Sequence, residues 1–373
     1  MSRPTADPVQ GVRGRGAPAR RVLRPAGRAL RPAARALAAL GLALSLAACS
    51  SLIGEKDIGP AADPSSPAAG AAAGTAPGAA PQASGAAVLP YDVRPLLKPA
   101  HKFLGVSADA APASMDSIRN FTDQAGKAPN LIEFYSGWGD NFDVQGARNA
   151  WNAGAVPYVA WEPFTVSLAD IAAGKSDDYI RGYAAAIRNL NVPVALSFAH
   201  EMNGGWYAWG TKHATAQDFV AAYRHVHDVF AQLGAADVIW AWSPNSINPM
   251  PGVQLQPYFP GDTYVDWVGI IGYYTHLEVG TFESLYGATL REIRQFTAKP
   301  FLIAETASEP GARKQADIAN LAAGVMQHPD CLGFIWFDYN KEVDWRIDSD
   351  PQSAAAFKRA VSDGRFGFDV RNP

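Results

Sequence analysis

Short apolar runs alternate with amphipathic segments along the chain after Tyr91. The apolar runs are rich in β-branched and aromatic residues and are bounded by glycine, proline or polar residues, which is typical of buried strands. We predict strands at 102–106, 131–135, 156–161, 192–199, 238–242, 267–272, 300–304 and 332–337. Helical spacing of apolar residues predicts helices at 115–124, 178–190, 282–296, 315–326 and 354–361, and another after the fourth strand.

The helix after the fourth strand carries the clearest signals. Thr215 and Asp218 have the spacing of a capping box, and Gly234 stands where a C-terminal cap belongs. Strands that alternate with helices predict a parallel sheet, and eight such repeats are the number in a (β/α)8 barrel. We therefore expect an α/β fold, a TIM barrel, over residues 96–373.

Two of the predicted strands end in a glutamate. The fourth strand runs into His200 and Glu201, and the seventh runs into Glu305. The strands of a TIM barrel end at one face, where active sites of this fold lie. A retaining glycosidase needs two carboxyl groups about 5–5.5 Å apart, one to protonate the leaving oxygen and one to attack the anomeric carbon. The acid must have a raised pKa, from apolar surroundings or a neighbouring negative charge.

The segment that follows the fourth strand reads HEMNGGWYAWG. Together with the strand that ends in Glu305, it resembles the family-26 glycoside hydrolases, the β-mannanases and related β-glycanases of a large retaining clan of (β/α)8 barrels. The resemblance covers residues 101–368. It implies that Glu201 is the general acid/base and Glu305 the nucleophile of an endo-acting enzyme, with a β-1,4-mannan as the expected substrate.

The same resemblance implies roles for further residues. His200 and Asn203 match positions that orient the acid/base and the sugar, and Trp206 and Trp336 match aromatic residues around the cleaved ring. Tyr273 matches a tyrosine whose hydroxyl group holds the nucleophile in position.

Aromatic and polar residues collect at the other predicted strand ends as well. Aromatic rings stack on the apolar faces of sugars and polar neighbours bind the hydroxyl groups, so this distribution suits a sugar-binding groove. The candidate groove residues are Trp138, Trp161, Glu162 and Trp242. For each single aromatic residue, packing inside the barrel is an equally good interpretation.

The sequence departs from the family pattern at two places. The family often has an arginine before the HE pair, where residues 197–199 read SFA, and an aspartate in the sixth strand, where Ile271 stands. Both differences concern the surroundings of the two carboxyl groups. They leave the choice open among mannan, another β-glycan and a bacterial exopolysaccharide.

The first 95 residues differ from the rest. Nine arginines precede the apolar run 36–48, which ends at Cys49, as in a bacterial lipoprotein signal. We predict a signal peptide at 1–48, lipidation of Cys49 and a flexible linker rich in alanine, glycine, proline and serine at 49–95. An ordinary secretory leader with a chance cysteine is the alternative. The prediction implies an exported protein anchored by lipid in the outer membrane or at the cell surface.

Charge and composition limit the classes of binding partner that we expect. Without the leader, the chain has 23 basic and 34 acidic residues, a formal charge of −11, which disfavours nucleic acid and suits a neutral polysaccharide. No intramolecular disulfide is available if Cys49 is lipidated, because Cys331 is the other of two cysteines. We expect a monomer.

Other functions compete with this interpretation. The HE pair lacks the second histidine of an HExxH zinc site, few histidines lie at strand ends, and no GxSxG motif occurs. The sequence therefore predicts no catalytic metal, no cofactor and no serine esterase. A surface lipoprotein that binds a glycan without cleaving it remains the alternative from another class.

Overall fold

The computed structural model describes residues 89–248, 250–277 and 280–373. Eight parallel strands form a closed barrel, in which each strand pairs with the next along the chain and the last pairs with the first. The strands are β1 (Phe103–Ala108), β2 (Leu131–Gly137), β3 (Val156–Glu162), β4 (Val194–Phe198), β5 (Val238–Trp242), β6 (Trp267–Ile271), β7 (Phe301–Thr306) and β8 (Cys331–Asp338).

Helices surround this barrel. They are α1 (Arg94–Leu97), α2 (Asp116–Ala125), α3 (Val144–Asn152), α4 (Leu168–Ala172), α5 (Asp177–Leu190), α6 (Ala216–Gln232), α7 (Ala288–Ile293), α8 (Lys314–Gln327) and α9 (Pro351–Ala360). A 3₁₀ turn occupies Gln256–Tyr258, and a π-helical turn, Glu283–Gly287, leads into α7.

The predicted barrel is confirmed, and all eight predicted strands are present to within two residues at either end. The capping box of Thr215 and Asp218 begins α6 as expected. Helices α1, α3 and α4 were not predicted; α1 and α4 have only four and five residues, too few to show a helical period. Helices α3 and α4 begin with a capped turn, in which Asp143 accepts a hydrogen bond from the Gly146 amide and Ser167 accepts one from the Asp170 amide.

The barrel domain begins earlier than residue 96. The Tyr91 amide donates a hydrogen bond to Asn191 (2.8 Å), the Tyr91 ring packs edge-on against Trp151, and Leu96 is buried. The last part of the predicted linker therefore packs on the barrel. The signal peptide, the lipidation site Cys49 and the rest of the linker lie outside the described residues and stay predictions. Within the described ranges, no helix has the length and apolar character to cross a membrane.

A polar layer lies inside the barrel beneath its carboxyl end. The Tyr158 hydroxyl lies 3.0 Å from the Ser243 hydroxyl, which also accepts a hydrogen bond from Ser197 (2.7 Å). Gly269 of β6 is required beside this layer, since a Cβ atom there would lie 2.5 Å from Ser243 Oγ. Hydrogen bonds inside the barrel therefore support its carboxyl end.

Candidate active site

A cavity of about 550 Å³ opens at the carboxyl end of the barrel. Glu201 and Glu305 both line it, although 104 positions separate them in the sequence. The walls also carry the aromatic residues Phe134, Tyr135, Tyr207, Tyr273, Phe337 and Tyr339, and the charged residues Asp109, Asp140, Asp143, Glu162 and Lys341.

Two tyrosines donate hydrogen bonds to the carboxyl group of Glu305. The Tyr135 hydroxyl donates to Oε2 and the Tyr273 hydroxyl donates to Oε1, so each oxygen has its own donor. Tyr135 comes from β2 and Tyr273 follows β6, so opposite parts of the barrel hold this side chain. Its two oxygens are thus fixed in orientation at the end of β7.

The carboxyl group of Glu201 has different partners. Trp206 Nε1 donates to Oε2 (2.8 Å) and the Asn245 amide nitrogen donates to Oε1. Trp206 is five residues further along the same loop, and Asn245 follows β5. The loop can fold back so that Trp206 reaches Glu201 because residue 204 is a glycine. A Cβ atom on Gly204 would lie 2.5 Å from the Trp206 ring.

The backbone is in the left-handed region at two non-glycine residues beside this carboxyl group. Ala199 has φ 51° and Glu201 has φ 54°. Non-glycine residues adopt such angles at a cost of about 1–3 kcal/mol, and they concentrate at functional sites. The Glu201 amide donates to the Ser243 carbonyl (2.7 Å), which holds this turn against the end of β5.

Burial and neighbouring charge set the ionisation of the two glutamates. Burial, together with the negative charge of Glu305, raises the pKa of Glu201 to about 7. Burial also raises the pKa of Glu305, while its two tyrosine hydrogen bonds and the positive charge of Lys341 act to lower it. Glu201 can therefore carry a proton near neutral pH, whereas the donors around Glu305 favour its carboxylate form.

A third carboxyl group, Glu133, lies buried in β2 and was not expected from the sequence. Burial, followed by the charges of Glu305, Glu162 and Glu201, raises its pKa well above the ordinary value. The burial of Glu133 and the three neighbouring carboxyl groups thus favour its protonated form.

Asn203 does not line the cavity, and it is linked to Glu201 through Asn245. It is fully buried, and its amide side chain exchanges two hydrogen bonds with the Asn245 backbone, one of 2.8 Å to the carbonyl and one of 2.9 Å from the amide. It therefore fixes the Asn245 loop, and the Asn245 side chain then binds Glu201. Asn245 was not predicted as a site residue, because nothing in the surrounding sequence distinguishes it from an ordinary loop asparagine.

His200 is buried beside the cavity. Its Nε2 atom lies 3.2 Å from the Tyr207 hydroxyl and 4.0 Å from a carboxylate oxygen of Glu162. Burial lowers the pKa of His200 to about 3, so the imidazole is neutral at physiological pH. The structure thus connects His200 to two residues of the cavity wall, Tyr207 and Glu162.

Three of the predicted groove tryptophans lie outside the cavity, packed among the helices. Trp161 stacks on Tyr183 of α5 (4.1 Å between ring centroids), and Trp336 packs edge-on against Phe357 of α9 (5.3 Å). Trp242 packs edge-on against Phe259 and Phe296. All three are fully buried, so the predictions of Trp161 and Trp242 as groove residues and of Trp336 beside the cleaved ring were wrong.

Trp161 and Trp336 point away from the cavity because side chains alternate between the two faces of a strand. Glu162 and Phe337, which directly follow Trp161 and Trp336, line the cavity instead. Trp138 is half-buried and stacks on Trp161 at 4.6 Å, so it covers the edge of that packed cluster. Trp206 alone among the predicted tryptophans contacts one of the two glutamates in the described part of the chain.

No metal-binding arrangement is apparent here. Among the described residues, no three or more histidine, cysteine, aspartate or glutamate side chains are placed to hold a metal ion. The arrangement offers acid/base and nucleophilic chemistry through carboxyl groups.

Comparisons with known proteins agree with this geometry. The model of glycosyl hydrolase family 26 matches residues 174–351, which include Glu201, Tyr273 and Glu305. Endoglucanase H of Acetivibrio thermocellus is 31% identical over 265 residues, which are 67% of this chain and 29% of that protein. Mannan endo-1,4-beta-mannosidase A and B of Caldalkalibacillus mannanilyticus is 24% identical over 200 residues, 50% of this chain and 36% of that protein. The chain thus spans about a third of the length of these curated relatives.

Solved structures show the same fold. The catalytic domain of a Bacillus sp. JAMB-750 GH26 endo-beta-1,4-mannanase superposes with a TM-score of 0.58 at 18% identity, over 73% of this chain and 88% of that one. A GH26 beta-mannanase from Bacteroides ovatus superposes with a TM-score of 0.54 at 17% identity, over 74% of this chain and 92% of that one. From the matched family model, the relatives and the eight-stranded barrel, we conclude that this chain belongs to glycosyl hydrolase family 26.

Proposed function

We propose that the protein is a retaining, endo-acting β-glycoside hydrolase that cleaves a β-linked polysaccharide by double displacement. The observation that carries the proposal is the pair of buried carboxyl groups that share one cavity but have different hydrogen-bond donors. Family membership supports the same reaction class.

In the first step, the Glu305 carboxylate attacks the anomeric carbon. The bond between this carbon and the glycosidic oxygen breaks, and Glu201 gives its proton to the departing oxygen. The product is a glycosyl ester of Glu305. The raised pKa of Glu201, about 7, keeps the acid form available for this transfer.

In the second step, Glu201 acts in the reverse direction. Its carboxylate takes a proton from water, the water oxygen bonds to the anomeric carbon, and the ester bond to Glu305 breaks. Loss of the negative charge of Glu305 during the ester stage lowers the pKa of Glu201, because that charge is one cause of the raised value. The higher pKa therefore keeps Glu201 protonated before the ester forms, and the lower pKa favours the carboxylate that takes a proton from water afterwards.

We propose β-1,4-mannan as the substrate, which agrees with the names of several relatives and structural neighbours. A β-glucan is the second candidate, because Endoglucanase H is the relative with 31% identity over 67% of this chain. The wall residues Asp109, Asp140, Asp143 and Glu162 disfavour polysaccharides rich in uronic acids, because like charges repel.

The test is product analysis on a panel of β-1,4-mannan, mixed-linkage β-glucan, β-1,3-xylan and bacterial exopolysaccharides. Three proteins are compared: the parent, Glu305→Ala, and Glu283→Ala as a matched control whose exposed carboxylate pairs with Arg291 at the surface. We expect the control to match the parent and Glu305→Ala to lose about 10⁴-fold or more of the rate. Equal rates for Glu305→Ala and the parent would refute the proposal, and binding without turnover by the parent would favour a glycan-binding protein.

A further inference from the structure

Two buried lysines hold loops at opposite ends of β8. The Lys102 ammonium group donates to the backbone carbonyl groups of His328 (3.1 Å) and Cys331, at the beginning of β8. The Lys314 ammonium group donates to three successive carbonyl oxygens beyond the end of β8, those of Asp344 (3.1 Å), Trp345 (3.2 Å) and Arg346 (2.7 Å). An ammonium group has three N–H donors, so the carbonyl groups of 344–346 use all the donors of Lys314.

The segment held by Lys314 carries a buried tryptophan. The Trp345 amide donates to the Tyr339 carbonyl (2.9 Å), and the Trp345 carbonyl also accepts from Trp336 Nε1 (3.1 Å). The Trp345 ring lies against the ring of Tyr273, at 5.1 Å between centroids. Lys314 therefore fixes the backbone of the residue whose side chain supports Tyr273.

Tyr273 is the residue that donates a hydrogen bond to Glu305 Oε1. We infer that Lys314 is a positioning residue for the nucleophile, which acts through Trp345 on the Tyr273 hydroxyl and through that hydroxyl on the Glu305 carboxylate. The role as nucleophile rests on the proposed function. The positioning itself is a physical coupling that exists whether or not the protein turns over a glycan.

Titratable and charged groups surround both Lys314 and Glu305. Lys314 is faced by Asp338 of β8, by Asp344 and Asp348 of the loop after it, and by Asp350 at the start of α9. Burial lowers the pKa of Lys314 to about 8, against the attraction of these acids, so the ammonium form is dominant at neutral pH. The titratable or charged groups that face Glu305 are Glu133 and Tyr135 of β2, Tyr158 of β3, Glu201 after β4, Tyr273 after β6, and Tyr339 and Lys341 after β8.

The expected consequence concerns the ionisation of Glu305. The Tyr273 hydrogen bond lowers the pKa of Glu305, so a displaced Tyr273 raises it. Lys314→Met removes all three donors and loosens the segment 344–346, in which Trp345 keeps its hydrogen bonds to Tyr339 and Trp336. Lys102→Met is the matched control, because it removes a similar buried clamp whose carbonyl partners lie at the other end of the barrel.

The experiment is a pH titration followed by NMR of ¹³Cζ-labelled tyrosine. The Tyr273 signal is identified by its loss in Tyr273→Phe, and its titration is assigned to Glu305 by its loss in Glu305→Gln. We expect the midpoint to rise by about half a pH unit or more in Lys314→Met. We expect no change in Lys102→Met, although both variants should unfold at a lower temperature than the parent.

A second variant covers the possibility that Lys314→Met does not fold. Trp345→Leu keeps the carbonyl groups that bind Lys314 but removes the ring beside Tyr273, and we expect the same upward shift. A midpoint that stays at the parent value in a folded Lys314→Met or Trp345→Leu protein overturns the inference, as does an equal shift in Lys102→Met.

Activity provides a separate arm. If the parent cleaves a β-glycan, the acidic limb of kcat/KM should move upward in Lys314→Met by the same amount as the NMR midpoint and stay in place in Lys102→Met. If the parent cleaves nothing while the midpoint still shifts, the proposed function fails and the positioning inference holds. If the parent cleaves a β-glycan but the NMR midpoint is unchanged in Lys314→Met, the positioning inference fails and the proposed function holds.

Discussion

The two strand ends that carry the glutamates differ in the donors they supply. At the end of β7, Glu305 receives hydrogen bonds from two phenol hydroxyl groups and lies within the field of Lys341. At the end of β4, Glu201 receives hydrogen bonds from an indole and an amide, and the negative charge of Glu305 adds to the effect of burial. The same residue type is thus placed in two environments at one cavity.

This difference teaches how one fold can give two identical side chains different ionisation, which the proposed mechanism requires. Hydrogen bonds to a carboxylate stabilise its charged form, whereas burial and a neighbouring anion favour the protonated form. At Glu305, two hydrogen-bond donors oppose the effect of burial on the pKa. At Glu201, a neighbouring anion adds to the effect of burial. In the proposed mechanism, the environments rather than the residue types determine which glutamate is the nucleophile and which is the acid.

The largest expected effect that separates the two glutamates comes from Glu201→Ala. On a polysaccharide, whose leaving group needs a proton, we expect a loss of about 10²–10⁴-fold in kcat/KM. On a dinitrophenyl β-glycoside, which needs no proton on its leaving group, kcat/KM should stay near the parent value. Steady-state assays on the two substrates measure this contrast.

Glu305→Ala is the matched variant, and it should lose activity on both substrates. Azide provides a further check, because it needs no general base and should restore turnover of Glu201→Ala with formation of a β-glycosyl azide. Equal losses on both substrates in Glu201→Ala would remove the distinction between the two carboxyl groups.

A smaller effect should appear in the pH dependence of kcat/KM. Trp206→Phe removes a hydrogen bond that lowers the pKa of Glu201, so the alkaline limb, near pH 7 in the parent, should move upward. A hydrogen bond of about 1 kcal/mol corresponds to a shift of about 0.7 pH unit. Tyr135→Phe is the comparison variant, because it removes a donor to Glu305 and should raise the acidic limb instead.

Each variant should thus move one limb and leave the other in place. A shift of the acidic limb in Trp206→Phe, or of the alkaline limb in Tyr135→Phe, would show that the two donors do not act on separate carboxyl groups.

The barrel could be predicted from the sequence because its signals are local. Each strand is a short apolar run between polar or turn residues, and the capping box at Thr215 determines where α6 begins. Helix α4 could not be predicted, because five residues give too short a window for a helical period. The attachment of Tyr91 to Asn191 joins positions 100 residues apart, and no local pattern indicates it.

The site was less predictable, because its residues meet across the barrel. The positions of Glu201 and Glu305 follow from the strand ends, but no local pattern indicates that Tyr135, the last residue of another predicted strand, contacts Glu305 170 positions away. The direction of Trp336 was not readable either, since β8 is apolar on both faces and offers no alternation to separate Trp336 from Phe337.

The most direct test of the central claim is to trap the glycosyl ester. A 2-deoxy-2-fluoro glycoside with a good leaving group, matched to the preferred polysaccharide, should form the ester faster than water removes it. After proteolysis, mass spectrometry should find the sugar on the peptide that contains Glu305, and Glu305→Gln should carry no label. A label on Glu201, or an unlabelled enzyme whose first product has the inverted anomeric configuration, would contradict the account.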